Sequence, residues 1–213
     1  MPLTLRTAPL LILLGLLAFS GCTTFASLNS AARNIETYEL HPLASQGPVR
    51  VGGRMVFVAE PSVSGALGSE RIVVKPDALK VAFLPDGRWV EPTSVHIRNL
   101  LARSLANSGQ LGLVSTNTVG PLPDFTVMTD VEVFQAEIGS PAGAPARVIV
   151  AMTISIASDV GGRLVAARHF VHTSDSTGLD APQIVAAFDL AMTALLREAT
   201  IWAVDVMTGA RRV

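Results

Sequence analysis

The sequence has 213 residues, of which 15% are charged and 49% hydrophobic, with 16 basic and 17 acidic side chains and a formal net charge of −1. That balance, with no basic block, argues against the electrostatic footprint of a nucleic-acid-binding protein. The length suffices for one core that needs neither disulfides nor metal. The apolar excess has two readings, a large core or an apolar surface covered by a partner or by lipid, and composition does not separate them.

The chain opens with a short segment carrying one positive charge, Arg6, followed by the apolar run LLILLGLLAF over residues 10–19. Such a run is about half the ~20 residues that a membrane-spanning helix requires, and Ser20 and Gly21 supply small residues for a cleavage site. Residues 1–21 are therefore expected to be a signal peptide. The junction Phe19-Ser20-Gly21-Cys22 resembles a lipobox, with Phe19 in place of the usual leucine. Cys22 is the single cysteine of the chain. A free thiol would be a liability in an oxidising compartment, and a thioether-linked lipid removes it. Cys22 is thus expected to carry the lipid anchor, each buried CH₂ of which contributes ~0.8 kcal/mol. Thr23, rather than an aspartate, follows Cys22, and by enteric-type sorting this favours the outer membrane over the inner.

Residues 22–37 are small and polar and are expected to be a lipidated tether. A strand is expected at 54–59, ended by Pro61 and a Gly/Ser loop over 62–69. Short apolar runs at 71–74 and 79–84 flank the turn pair Pro76-Asp77, and a second turn, Pro85-Asp86-Gly87, delivers Arg88 and Trp89. A helix is expected at 92–108, with a stripe of Val95, Leu101 and Leu105 beside Ile97 and Leu100, and Gly109 as its cap. A short strand follows at 111–115.

Two long strands come next. In 125–133 the odd positions Phe125, Val127, Val131 and Val133 are apolar. In 147–157 the even positions Val148, Val150, Met152, Ile154 and Ile156 are apolar. Such alternation marks half-buried antiparallel strands. A flexible loop over 139–145 separates them. Residues 159–162 (DVGG) are expected to form a hairpin turn into a third strand over 163–172. The last element is a long helix with Asp180 as N-cap and Pro182 in its first turn. Ile184, Phe188, Ala191, Leu195, Ala199 and Trp202 mark its inner face, and Gly209 marks its end. The expected fold is α+β, an antiparallel sheet with two main helices packed on one face, as a single domain over 38–208 with a tail over 209–213.

No arrangement of residues suggests catalysis. The chain lacks a G-x-S-x-G elbow, a Ser-x-x-Lys pair and a phosphate-binding glycine loop, so no catalytic residue and no cofactor are expected. His169 and His172 are three apart, which on a helix would allow a shared metal. On a strand the odd offset sends the rings to opposite faces, so no metal site is expected. His41 and His96 stand alone and read as surface residues. Asp130 and Glu132 could pair as glycosidase carboxylates do, but solvated alternate positions of an exposed sheet face explain them better. Trp89 is either a core cover beneath the first helix or a partner-facing anchor.

In order and spacing these features resemble the ABC-type transport auxiliary lipoprotein component family, which includes the lipoprotein of the Pqi system. The resemblance spans nearly all of the mature chain and rests on Tyr38-Glu39-Leu40, on Ser69-Glu70-Arg71-Ile72-Val73-Val74, and on Gly87-Arg88-Trp89 before the first helix. Leu100, Leu105 and Ser108-Gly109 follow, then Asp124-Phe125, Arg168-His169-Phe170 and an Ala-rich final helix ending at Trp202. Membership implies a non-catalytic, lipid-anchored subunit facing the periplasm, one that docks or supports an MCE-type ABC lipid-transport system at the outer membrane. It implies an MCE-domain protein as partner and a homo-oligomer. The alternative is a lipoprotein of another envelope machine, such as an outer-membrane assembly factor or a regulator of cell-wall synthesis.

Overall fold

The computed structural model describes residues 35–48, 52–138 and 144–209, and the folded unit begins at Glu36. Cys22, the signal segment, most of the tether, residues 139–143 of the 139–145 loop and the tail beyond Gly209 lie outside the described residues. The strands are β1 (Glu36–Tyr38), β2 (Met55–Val58), β3 (Ser62–Val63), β4 (Arg71–Asp77), β5 (Lys80–Trp89), β6 (Leu113–Ser115), β7 (Phe125–Glu137), β8 (Arg147–Ser158) and β9 (Arg163–Asp175). The helices are α1 (Thr93–Asn107) and α2 (Ala181–Gly209), with a 3₁₀ turn at Gly65–Gly68. No helix among the described residues is long and apolar enough to cross a membrane.

The period-two pattern of β8 places Val148, Val150, Met152, Ile154 and Ile156 on one face, each 1% exposed or less. That face meets α2, whose residues Ile184, Phe188, Ala191, Leu195 and Ala199 are buried as their spacing predicts, with Trp202 half-buried. Both helices lie on this side of the sheet, α2 over β8 and β9 and α1 over β2, β3 and β6. The fold is α+β with two helices on one face.

The sheet is mixed rather than purely antiparallel. β7 pairs antiparallel with β8, and β8 with β9, as the long alternating segments require. Along its other edge β7 receives three short strands in succession, β2, β3 and β4, all parallel to it. β6 adds parallel to β2, and β1 adds parallel to β5. Each parallel partner is joined to β7 by a long crossover, so local turn chemistry does not announce the pairing.

Two irregularities follow from particular residues. In β7 a bulge falls between Val131 and Val133. It moves Val133 off the helix-facing side and turns Phe134 and Ala136 into the core, so the expected inward position of Val133 is corrected to Phe134. In β5, Pro85-Asp86-Gly87 does not reverse the chain. Arg88 pairs with Arg71 and Phe83 with Val73, so residues 84–87 bulge out opposite Ile72 alone. Proline is tolerated at such a bulge because no ladder donor is lost. The chain reversal occurs instead at Asp77–Lys80, where the Asp77 carboxylate accepts the N–H groups of Leu79 and Lys80, each at 3.0 Å.

The topology gives the sheet two distinguishable ends. β1 runs parallel to β5, which is antiparallel to β4, and β4 is parallel to β7. β1 therefore runs antiparallel to β7, and Glu36 is its residue nearer the end where β7 finishes. This proximal end also carries the β4–β5 hairpin with Leu79. The distal end, where β7 begins, carries the loop over 116–123 and the β8–β9 hairpin over 159–162.

Candidate functional site

The histidines are separated by the fold. His169 lies on the open sheet face, its Nε2 3.0 Å from Glu132, whose other oxygen accepts the Thr153 hydroxyl at 2.7 Å. His172 lies on the helix side, its Nε2 2.9 Å from Glu198 of α2, which also takes Arg168. The hydrogen bond from His172, reinforced by Arg168, holds the Glu198 carboxyl below the usual range. Asp130 is engaged separately, accepting the Ser62 hydroxyl at 2.7 Å. Among the described residues no three His, Cys, Asp or Glu side chains come together to hold a metal ion. His41 is exposed and sits 3.3 Å from Asp189.

His96 is the residue that sequence placed wrongly. It is 2% exposed, and the buried stripe of α1 runs through Thr93, His96, Ile97, Leu100, Leu101, Ser104 and Leu105, with Val95 only half-buried. The missed signal is the His96-Leu100-Ser104 series at spacings of four. The imidazole stacks on Trp89 with centroids 5.6 Å apart and planes 16° apart. Its Nε2 accepts the Leu40 N–H at 3.2 Å, and its Nδ1 faces Glu91 at 3.6 Å. An acceptor at Nε2 requires the neutral ring. Burial pushes the His96 pKa down, and outweighs the opposing pull of Glu91 and Glu39.

Trp89 is a core residue, 1% exposed. Phe188 meets it edge-on at 5.3 Å, and Phe134 lies 5.7 Å from Trp89 and 4.9 Å from Phe188. This junction ties β5, α1, β7 and α2 to the segment after β1. The indole offers no surface to a partner in this fold.

Several exposed apolar side chains lie at the distal end, while others are spread over the sheet edges and helices. Val119 and Leu122 of the 116–123 loop are 90% and 91% exposed, and Val160 of the β8–β9 hairpin is 72% exposed. Leu164 and Leu113 are also exposed beside them. The register brings the two turns to one level, since Ala157 lies opposite Thr126 on one side and Leu164 on the other. Beneath the loop lies a cleft of about 220 Å³ lined by Met55, Phe57, Leu113, Val119, Pro121 and Pro123. Asp124 braces its floor by accepting the Met55 N–H at 2.8 Å and facing Arg54 at 3.5 Å. At its mouth the Thr126 hydroxyl donates to Asp159.

Residues 38–199 match the family model of the ABC-type transport auxiliary lipoprotein component. The chain belongs to this family. No curated protein matches the sequence. The auxiliary lipoprotein is similar in fold to protein XCC0632 from Xanthomonas campestris, with a TM-score of 0.71 at 20% identity, over 82% of this chain and 98% of that one. It is similar also to a second solved structure, of an uncharacterized protein, with a TM-score of 0.64 at 15% identity, over 80% of this chain and 99% of that one.

The residues that carry the auxiliary-lipoprotein resemblance are mostly structural. Trp89 N–H donates to Glu70 O at 2.7 Å, and the Thr93 hydroxyl donates to Ser69 O at 3.1 Å, which fixes the start of α1. A Cβ on Gly87 would stand 3.1 Å from the Tyr38 ring. Gly109, at φ 66°, ends α1 in the left-handed conformation that glycine adopts without strain. Phe170 is buried against Trp202, with ring centroids 5.5 Å apart.

Proposed function

We propose that this auxiliary lipoprotein is a non-catalytic subunit held at the membrane by a lipid on Cys22. In this reading it docks or supports an MCE-type ABC lipid-transport system at the outer membrane and works as a homo-oligomer. The observation that carries the reading is the family match over residues 38–199. Cys22, at a lipobox-like junction, supports the anchor, and the apolar distal end supports a role made of contacts. Membership of a lipoprotein family supports a lipid-anchored location at the cell envelope.

The test has two arms in intact cells. Cys22→Ala should abolish incorporation of radioactive palmitate and block signal-peptide processing. A variant that still labels and matures would remove the anchor. Chemical cross-linking of the unmodified chain should capture an MCE-domain protein. Capture of an outer-membrane assembly or cell-wall protein instead would transfer the chain to another envelope machine.

A further inference from the structure

We propose that the distal rim formed by Leu113, Val119, Leu122, Val160 and Leu164 is a protein-docking surface, and that its partner seats an apolar side chain in the cleft beneath the 116–123 loop. The inference rests on the lipid-anchored reading and adds to it the place of contact and the chemistry of the occupant.

The size of the cleft bears on what enters it. At about 220 Å³ it is smaller than the ~300–1,000 Å³ of small-molecule sites. It suits one or two large side chains, and the exposed leucines and valines around it supply the surrounding contact. Large apolar side chains fully exposed on two neighbouring turns gain no folding energy where they stand, and such patches mark interaction surfaces. The cleft is firmly built. Its floor is β2 and β6, and Asp124 ties both its own N–H and its carboxylate to Met55.

The route of the chain argues against the anchoring membrane as the occupant. Cys22 precedes Glu36 by fourteen residues, which span at most about 45–50 Å when fully extended, and about 20 Å as a coil. The thirteen residues of β7 extend about 43 Å at ~3.3 Å each. Glu36 joins the sheet opposite Gly87, in the half away from the rim. Bringing the rim to its own membrane would require the linker to run nearly straight back along the domain. The rim also lacks the tryptophans and clustered lysines of membrane-inserting tips, and it presents Asp159 at the mouth of the cleft.

A symmetric rim-to-rim pair fits no better. Two copies joined rim to rim would point the ends at which Glu36 enters the sheet in opposite directions, which two fourteen-residue tethers to one membrane do not readily serve. An apolar surface on a protein that approaches from the far side of the periplasmic space fits both the composition of the rim and its direction.

The experiment places a photo-cross-linking amino acid, one position at a time, at Val119, Leu122 and Leu79 in the full chain in intact cells. Leu79 is 95% exposed at the proximal end. The expected result is capture of a subunit of an ABC transport system, identified by mass spectrometry, from Val119 and Leu122. Capture from Leu79 should be at least tenfold weaker. A Val119→Asp, Leu122→Asp double variant should lose chemical cross-linking to that subunit at least tenfold, with palmitate labelling and melting temperature unchanged. Capture from Leu79 alone, or adducts from the rim consisting only of lipid or of a second copy, would overturn the inference and leave the transport reading standing. Failure to capture any transport subunit from any position would overturn both.

Discussion

The aromatic junction and the distal rim use the same kind of side chain to opposite ends. At the junction, Trp89, Phe134 and Phe188 pack together with His96 stacked on the indole, so every apolar surface finds a partner within the domain. At the rim, Val119 and Leu122 project from the 116–123 loop, which carries Pro121 and Pro123, and nothing among the described residues covers them. Composition posed a choice between a large core and an exposed apolar surface. The molecule has both, at different places. Apolar content alone therefore does not distinguish residues that stabilise the fold from residues available to a partner; position relative to the turns does.

The largest effect should come from the junction. Trp89→Ala removes a fully buried indole from contact with three rings, and should cost about 3–5 kcal/mol, lowering the melting temperature by roughly 10 °C for a domain of this size. Thermal unfolding of the purified mature domain measures it. A loss below 1 kcal/mol would mean that Trp89 does not organise the core.

An intermediate effect should come from His96. Because its pKa is depressed in the folded state, the unfolded chain takes up the proton first as pH falls. Its contribution to stability is therefore complete above the ordinary imidazole value of about 6.5 and declines as pH falls through the depressed folded value. His96→Gln keeps an acceptor for the Leu40 N–H but loses the stack on Trp89, and should cost about 1–2 kcal/mol at neutral pH. The informative comparison is the slope of stability between pH 7 and pH 5, which should be shallower in the variant. Equal slopes would show that His96 does not titrate on unfolding.

The smallest effect should be at the rim. Leu122→Ser should change folding stability by no more than about 0.5 kcal/mol, measured in urea. A larger loss would place Leu122 in the core and erase the contrast between the two regions.

Legibility in the sequence followed the length of the pattern. β8 carries five alternating apolar residues and α2 six at helical spacing, and both stand as expected. β2, β3 and β6 have four, two and three residues, too few to declare either period, and their parallel pairing to β7 or to one another depends on the whole fold. The bulge in β7 did leave a trace, since Val133 and Phe134 are adjacent apolar residues in an otherwise alternating strand. His96 reads as a surface residue only when its place on the helix is disregarded, since α1 sets it on the buried face. At the candidate site, Val119 and Leu122 occur in a turn-rich stretch with no periodicity, and only the fold reveals that Val160 and Leu164 join them.

The position of β1 has a mechanical consequence. Load drawn along the axis of β1 would act parallel to β5, to which β1 is paired. Such a pull shears the β1–β5 ladder, so its hydrogen bonds must yield together instead of opening one after another. Behind them stand the Val90 N–H on Tyr38 O at 2.9 Å, the Leu40 N–H on His96, and the His41 N–H on Asp189 at 2.9 Å. Resistance to forced unfolding is governed by the unfolding rate, and a ladder loaded in shear and backed by contacts to both helices keeps that rate low under tension. A domain tethered at one end and gripped at the other would need that property.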